Sequence, residues 1–388
     1  MRILMYCNKF GGPTTTFIQN DLLQLTKNHQ VKHLSTVLDK DGSFRYSDVD
    51  IVPYYRDLFT AKVYWILEKR GWYLSYKNKS FAKKVNEIVD SFNPDIILCN
   101  FGIEALVLTD NLNEQNKKRP IVINFLGYDA SFHLNRPSYV SKLMELSGLS
   151  NVFATSNTNF LKKNLEVKGV FFRENKVIHT GINLTFFDRK GYIPKQDKYI
   201  FLQIALLSYR KGQDVAIYAF KKMLSMVPDP GKYKLILAGG GEPGIGELIR
   251  MIPVRLGIES QVEFTNWITP LEAKQLMMEA NCFLHHSKTI NWRTEGVPTA
   301  VSEAMAMELP IISTWHAGIP ELVEEGENGF LVEENDIEMF AKRMIDIQSW
   351  GYKSNNREKV EKYFNIEKRG EALNNYFDEI LLRQKKNI

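Results

Sequence analysis

Short apolar runs alternate with amphipathic stretches along this chain, and no other feature of it constrains the fold as strongly. Candidate strands are residues 2–7, 30–36, 95–100, 121–125, 151–155 and 176–179, then a second series at 199–204, 232–238, 261–264, 282–285, 310–313 and 329–332. Helical periodicity falls between them, at 17–26, 80–91, 158–165, 213–226, 271–279, 337–348 and 366–382. Such β–α alternation predicts parallel sheets with helices on both faces. The polar, Pro-containing stretch 189–198 separates the two series. Two doubly wound Rossmann-like α/β domains are therefore expected, over 1–188 (completed by the C-terminal helix, 366–388) and 197–365. Ligands in open α/β sheets bind beyond the carboxyl ends of the strands, so the expected site is a cleft across which the two domains face.

No apolar run approaches the ~20 residues that cross a bilayer, and the N-terminus reads as a first buried strand rather than a signal peptide. Cys7, Cys99 and Cys282 lie in apolar runs without metal-ligand spacing, as expected of reduced thiols in the cytoplasm. Charge is uneven: residues 1–190 carry 26 Lys/Arg against 18 Asp/Glu, and 191–388 carry 24 against 27. A basic first half suits an anionic acceptor or surface. Within it, residues 54–85 interleave Arg56, Lys62, Lys69, Arg70, Lys77, Lys79, Lys83 and Lys84 with Tyr and Trp. That pattern suits peripheral contact with an anionic membrane, at the inner face of the cytoplasmic membrane. A pair of helices packing their aromatics inward reads the same residues without a membrane. Nothing points to nucleic acid.

The densest chemical signal is Glu295-Gly296-Val297-Pro298-Thr299-Ala300-Val301-Ser302-Glu303. Pro298 suits a helix's first turn, and the backbone N–H groups around Thr299, Ala300 and Val301 would then form an anion site. Glu303 lies about five residues into that helix, ~7–8 Å along its axis, which matches the reach from a pyrophosphate to ribose hydroxyls. Glu295, before the helix, falls on the side where a sugar would sit. Read blandly, the segment is a surface loop with one helix-face glutamate. Just after the run 199–204 come Arg210-Lys211-Gly212, whose cations suit phosphate. Gly239-Gly240-Gly241-Glu242-Pro243-Gly244 formally matches a dinucleotide fingerprint, but a turn whose Gly240 and Gly241 let backbone approach donor phosphates explains it better. Gly11-Gly12 is a similar device in the first domain. Trp267 is placed to pack near a nucleobase or in the core, and Asn291-Trp292-Arg293 to frame a sugar pocket. His285-His286 are adjacent, so their rings should diverge and no metal is expected. Asp48-Val49-Asp50 stands in a polar loop and reads as a chance D-x-D.

The segment 295–332 resembles the retaining glycosyltransferases of family 4. It carries Glu295…Glu303, Leu309-Pro310-Ile311-Ile312-Ser313, Gly318-Ile319-Pro320-Glu321 and Asn328-Gly329-Phe330-Leu331-Val332. Phe10-Gly11-Gly12-Pro13, Gly127-Tyr128-Asp129 and His179-Thr180-Gly181 resemble the colanic-acid, exopolysaccharide branch of that family. The resemblance implies a glycosyltransferase B type fold, a UDP- or GDP-linked sugar donor, retention of configuration, and no cofactor or obligatory metal. It implies that Lys211 pairs with the donor diphosphate, and it suits a saccharide or lipid-linked saccharide acceptor in cell-surface polysaccharide or lipopolysaccharide synthesis. With it, Glu295, Lys211 and Arg210 are the expected catalytic residues. Gly127 and Asp129 are expected at the cleft, although Asp129 reads equally as a helix cap. The chain departs from the family at Leu206 and Leu126, where Arg and His are usual. Those departures keep a non-catalytic sugar-nucleotide-binding subunit in view. An NAD-dependent oxidoreductase is a further rival, with Glu259 or Glu263 as its ribose partner.

Overall fold

The computed structural model describes residues 1–11, 16–38, 49–53, 66–67, 77–194 and 197–386. The chain divides into two compact units, Met1–Gly181 with Ile366–Ile388, and Ile182–Asn365. Residues 182–188, grouped with the first domain from sequence, pack with the second: the Arg357 guanidinium donates to the carbonyls of Leu184, Phe187 and Ala306.

The first unit holds a seven-stranded, wholly parallel sheet. Its strands are β1 (Arg2–Phe10), β2 (Gln30–Leu38), β3 (Val49–Ile51), β4 (Ile96–Asn100), β5 (Ile121–Phe125), β6 (Val152–Ser156) and β7 (Asn175–Val177), in the order β3-β2-β1-β4-β5-β6-β7. β4, β5 and β6 are buried along their whole length, as strands covered on both faces must be, which is why they read as unbroken apolar runs. β3 corrects the loop assigned around Asp50. Val49–Ile51 pairs with His33–Ser35 at the sheet edge, and Asp50 takes an ion pair from Lys32 at 2.9 Å; Asp48 lies outside the described residues. The helices are α1 (Thr16–Leu25), α2 (Lys79–Phe92), α3 (Gly102–Asn111), α4 (Pro137–Ser147), α5 (Asn159–Val167) and, from the far end of the chain, the helix Ile366–Lys386. Asn78 and Thr158 cap α2 and α5, each side chain accepting an amide three residues on.

The second unit holds a six-stranded parallel sheet of β8 (Tyr199–Ile204), β9 (Tyr233–Ala238), β10 (Val262–Phe264), β11 (Cys282–His285), β12 (Ile311–Thr314) and β13 (Gly329–Val332), ordered β10-β9-β8-β11-β12-β13. Its helices are α6 (Gln213–Leu224), α7 (Ile245–Leu256), α8 (Pro270–Glu279), α9 (Thr299–Ala306), α10 (Ile337–Asp346) and α11 (Ser354–Tyr363); the helix Ile366–Lys386 is then α12. Thr269 and Glu272 close a capping box at the start of α8, with Pro270 in its first turn. Separate apolar cores lie on the two faces of each sheet. Among the described residues no helix is long and apolar enough to cross a membrane.

α12 belongs to the first unit because its apolar face, Leu373, Tyr376, Phe377 and Ile380, is buried against β1, α1 and β6 residues. Arg369 fixes it further, with two bonds to the Asp21 carboxylate at 2.5 and 2.7 Å and two to the carbonyls of Ile178 and His179. Both ends of that pair are almost fully buried. Arg369→Ala is therefore expected to cost about 3–5 kcal/mol, because Asp21 is left as an uncompensated buried charge. Urea melts of the full chain should show it, and Arg369→Ala/Asp21→Ala should recover much of the loss.

Candidate active site

In the second sheet β8 and β11 are neighbours, but β8 leads on to β9 on one side and β11 to β12 on the other. This reversal opens a crevice beyond their carboxyl ends, the usual ligand position in such sheets. The chain fills its rim with charge.

After β8, the residues Tyr209–Lys211 form one 3₁₀ turn. Gln213, the first residue of α6, clamps the approach by donating to the Leu206 carbonyl and accepting the Ser208 amide. Gln203 donates to the Lys211 carbonyl at 2.7 Å. Gly212 links turn to helix at φ +68°, and a Cβ there would run into the His286 carbonyl. Only glycine satisfies both conditions. Arg210 and Lys211 thereby project from a rigid turn against the loop that follows β11. Their common partner is Glu295: Lys211 Nζ stands 2.5 Å and Arg210 Nη1 3.2 Å from the same Oε1. Ser287 Oγ lies 3.4 Å from the other oxygen. His285 Nε2 lies 3.8 Å away, too long for a hydrogen bond.

Glu295 is buried. Burial by itself would push its carboxyl up, but Lys211 beside it holds it well below the usual carboxylate range. Burial pushes His285 down, and it pushes His286 down to about 3, so both rings are neutral. They diverge, as adjacent strand-end residues should: His285 faces Glu295, while His286 accepts the Asn335 amide and packs edge-on to Phe340. Among the described residues no group of three or more His, Cys, Asp or Glu is placed to hold a metal.

α9 starts beside this cluster. Pro298 is its N-cap rather than a first-turn residue, and no side chain caps the helix. The anion site expected at 299–301 shrinks accordingly: Val301 is fully buried and its N–H already donates to the Pro298 carbonyl at 3.0 Å. The partly exposed Thr299 and Ala300 carry the two amides with no partner among the described residues. Gly296 is buried between Glu295 and this helix start. Glu303 follows one turn on. Burial pushes its carboxyl up to about 7, and among the described residues it has no hydrogen bond or ion pair.

The glycine-rich turn after β9 is a packing device at two of its positions. Gly241 abuts Gly246 in the first turn of α7, and the Trp267 indole covers Gly240 so closely that a Cβ would enter the ring. Trp267 is 65 % exposed, so it is not a core residue. Glu263, a ribose partner in the dinucleotide reading, is paired with Lys234 across β9 and β10. Asn291 and Trp292 form a tight turn with φ +51° and +65°, bridged by Ile290 and Arg293, and Trp292 is 72 % exposed.

In the first unit, the corresponding reversal lies between β1 and β4. Gly11 follows β1 at φ +92°; Gly12 lies outside the described residues, as does most of the basic and aromatic stretch 54–85. Asp129 is fully buried, and its carboxylate accepts the amides of Gly102, Gly127 and Leu126. It organises its own loop with both oxygens occupied. Burial, then Asp129, pushes the nearby Glu104 up to about 8, and Tyr128 stacks on Phe101 at 4.9 Å.

Sequence reading missed His316, Glu334, Thr289 and the pair Lys288–Asp214, which stands at 2.9 Å beside the Arg210 turn. Their signal was positional. His316 and Glu334 each stand two residues beyond a strand end, on the same sheet edge as Lys211 and Glu295.

Two doubly wound parallel sheets, one bearing a carboxylate between two cations at its reversal point, define an α/β protein of the doubly wound class. Residues 185–365 match the family model described as glycosyl transferases group 1. That stretch, nearly the whole of the second unit, belongs to the family. It is 28 % identical over 262 residues to the putative colanic acid biosynthesis glycosyltransferase WcaL of Salmonella typhimurium, a match covering 67 % of this chain and 63 % of that protein. It is 33 % identical over 148 residues to the amylovoran biosynthesis glycosyltransferase AmsK of Erwinia amylovora, covering 37 % and 34 %. The chain thus spans just under two thirds of the WcaL length it matches. The fold is that of glycosyltransferase B structures: HepE of Anabaena, solved with UDP and glucose, superposes with a TM-score of 0.76 at 18 % identity, over 97 % of this chain and 99 % of that one.

Proposed function

We propose that this chain transfers a sugar, with retention, from a UDP- or GDP-linked donor to a saccharide or lipid-linked saccharide acceptor in cell-surface polysaccharide synthesis at the cytoplasmic side of the membrane. The observation that carries this reading is the ionised Glu295 held between Lys211 and Arg210 at the β8–β11 reversal, beside the uncapped start of α9. The donor complexes of HepE and the exopolysaccharide relatives agree with it. An incoming diphosphate competes for the two cations, takes the Thr299 and Ala300 amides as well, and leaves the Glu295 carboxylate to accept hydroxyls of the sugar. Glu303 accepts the ribose hydroxyls. The acceptor oxygen then bonds to the anomeric carbon on the face the diphosphate leaves. The bond from that carbon to the phosphate oxygen breaks, and the acceptor's proton passes to the departing phosphate. Lys211 and Arg210 stabilise the charge that grows there. The first unit takes the acceptor.

A thermal-shift screen with UDP, GDP, UDP-glucose, GDP-mannose and NADH tests the reading, since a ligand specific to the folded state raises apparent stability by RT ln(1 + [L]/Kd). One nucleotide family should stabilise the parent, and proton NMR of a transfer product should show the donor's anomeric configuration retained. Stabilisation by NADH alone would favour the oxidoreductase. Binding without transfer or donor hydrolysis across an acceptor panel would favour a non-catalytic subunit.

A further inference from the structure

Thr289, His316 and Glu334 stand beyond the ends of three adjacent strands, β11, β12 and β13, and are joined through one carboxylate. Glu334 accepts the Thr289 amide at 2.8 Å and the Thr289 hydroxyl at 3.0 Å. Its Oε1 also lies 2.7 Å from His316 Nδ1. Since a carboxylate only accepts, Nδ1 carries the proton. In the neutral ring Nε2 is then an acceptor, and the Glu295 amide points at it from 3.3 Å. The tautomer follows from the partners on both sides. His316 is buried, so water does not compete for either bond.

The consequence is mechanical. Glu334 holds the 289–295 loop at both ends, directly at Thr289 and through the imidazole at Glu295. Between the two anchors, Asn291 and Trp292 are in left-handed backbone, a conformation that persists only where the surroundings impose it. An untied loop would relax and carry Glu295 with it.

We propose that Glu334 and His316 form a positioning relay that locks the Glu295 loop, so that the Glu295 carboxylate meets the transferred sugar in a productive pose; this rests on the transfer reading given above. Neither residue touches the donor. The diphosphate and ribose contacts come from Lys211, Arg210, Glu303 and α9; the relay reaches the two cations only through the Glu295 carboxylate, from which an incoming diphosphate takes them. Its loss therefore separates turnover from nucleotide binding, whereas a general structural defect would damage both.

The test uses the full chain and the variants His316→Ala, His316→Gln, Glu334→Ala and His316→Ala/Glu334→Ala. Donor hydrolysis and transfer are followed with UDP-glucose and GDP-mannose, and UDP and GDP binding by calorimetry. For His316→Ala, kcat should fall on the order of 100-fold, as expected when a reacting group is misplaced by about 1 Å. Affinity for the nucleotide the parent binds should stay within about threefold, because uniform binding is untouched. His316→Gln should recover part of kcat, since its side-chain carbonyl can accept the Glu295 amide. The double variant should be no worse than the poorer single one, because the pair acts as a unit. Additive losses, or a parental kcat in His316→Ala, would overturn the relay and leave the transfer reading standing. A parent that binds no nucleotide or nucleotide sugar would overturn that reading instead. The relay also has a readout free of activity: in ¹⁵N-histidine spectra, the ring signals that vanish in His316→Gln should show a protonated Nδ1 and a bare Nε2. The reverse pattern would sink the relay whatever the activity.

Discussion

Lys211→Ala is expected to lower turnover by on the order of 100- to 1000-fold, the loss typical when a charge-stabilising donor is removed from a reacting centre. It should also destabilise the unliganded protein, and the two effects can be separated. In the parent, Lys211 is the main cation holding the buried Glu295 carboxyl below its ordinary value. A carboxylate whose folded pKa is depressed adds stability that is present above the unfolded pKa, near 4.5, and is lost only as pH falls through the lower folded value. Without Lys211, only the half-exposed Arg210 at 3.2 Å remains, and burial acts almost unopposed. The variant should lose about 3 kcal/mol near neutral pH, the lower end of the range for breaking a buried pair, and its deficit should shrink as acid protonates Glu295. Adding Glu295→Gln should restore much of the stability and none of the turnover. Urea melts at pH 5 and pH 8, beside donor-hydrolysis rates, decide the matter. A Lys211→Ala protein that turns over like the parent would remove Lys211 from the mechanism.

Ile121–Phe125, Tyr199–Ile204, Cys282–His285 and Gly329–Val332 are strands at the residues the apolar runs marked, because a strand covered on both faces must be apolar throughout. β3 was lost for the opposite reason: three residues at a sheet edge, none of them buried, are too short a run to carry a pattern. α3 was lost because it is buried on nearly every side; a helix without a wet face shows no 3.6-residue alternation. α7 carries Pro253 near its end, which argues against a helix locally although the last turn tolerates it. At the site, Glu295 and Glu303 were legible because nine consecutive residues of one segment hold both. His316 and Glu334 were not, because their relation to Glu295 exists only once β11, β12 and β13 lie side by side. Val301 was misjudged as an anion donor because spacing does not reveal that its amide closes back on Pro298.

Glu303 should make nucleotide affinity depend on pH in a direction opposite to its effect on stability. Burial raises its pKa from 4.5 to about 7. Between those values the folded protein holds a proton that the unfolded chain has released, so this group's contribution to stability is greatest below the unfolded pKa and falls as pH rises through about 7. The ionised form accepts two ribose hydroxyls where the acid accepts fewer. At pH 6 about a tenth of the carboxyl is ionised, so nucleotide should bind up to about tenfold more weakly at pH 6 than at pH 8. Glu303→Gln should remove both slopes. It should melt higher at pH 8, by roughly 1–3 kcal/mol given that Glu303 keeps some contact with solvent. It should also bind nucleotide about 10- to 100-fold more weakly, the worth of one or two hydrogen bonds to a charged group. Calorimetric titration with UDP or GDP at the two pH values, paired with melts of the same samples, measures every quantity named. A pH-independent affinity in the parent, or a Glu303→Gln protein that binds as tightly as the parent, would take Glu303 off the ribose. The destabilising burial of its carboxyl would then need another ligand to explain it.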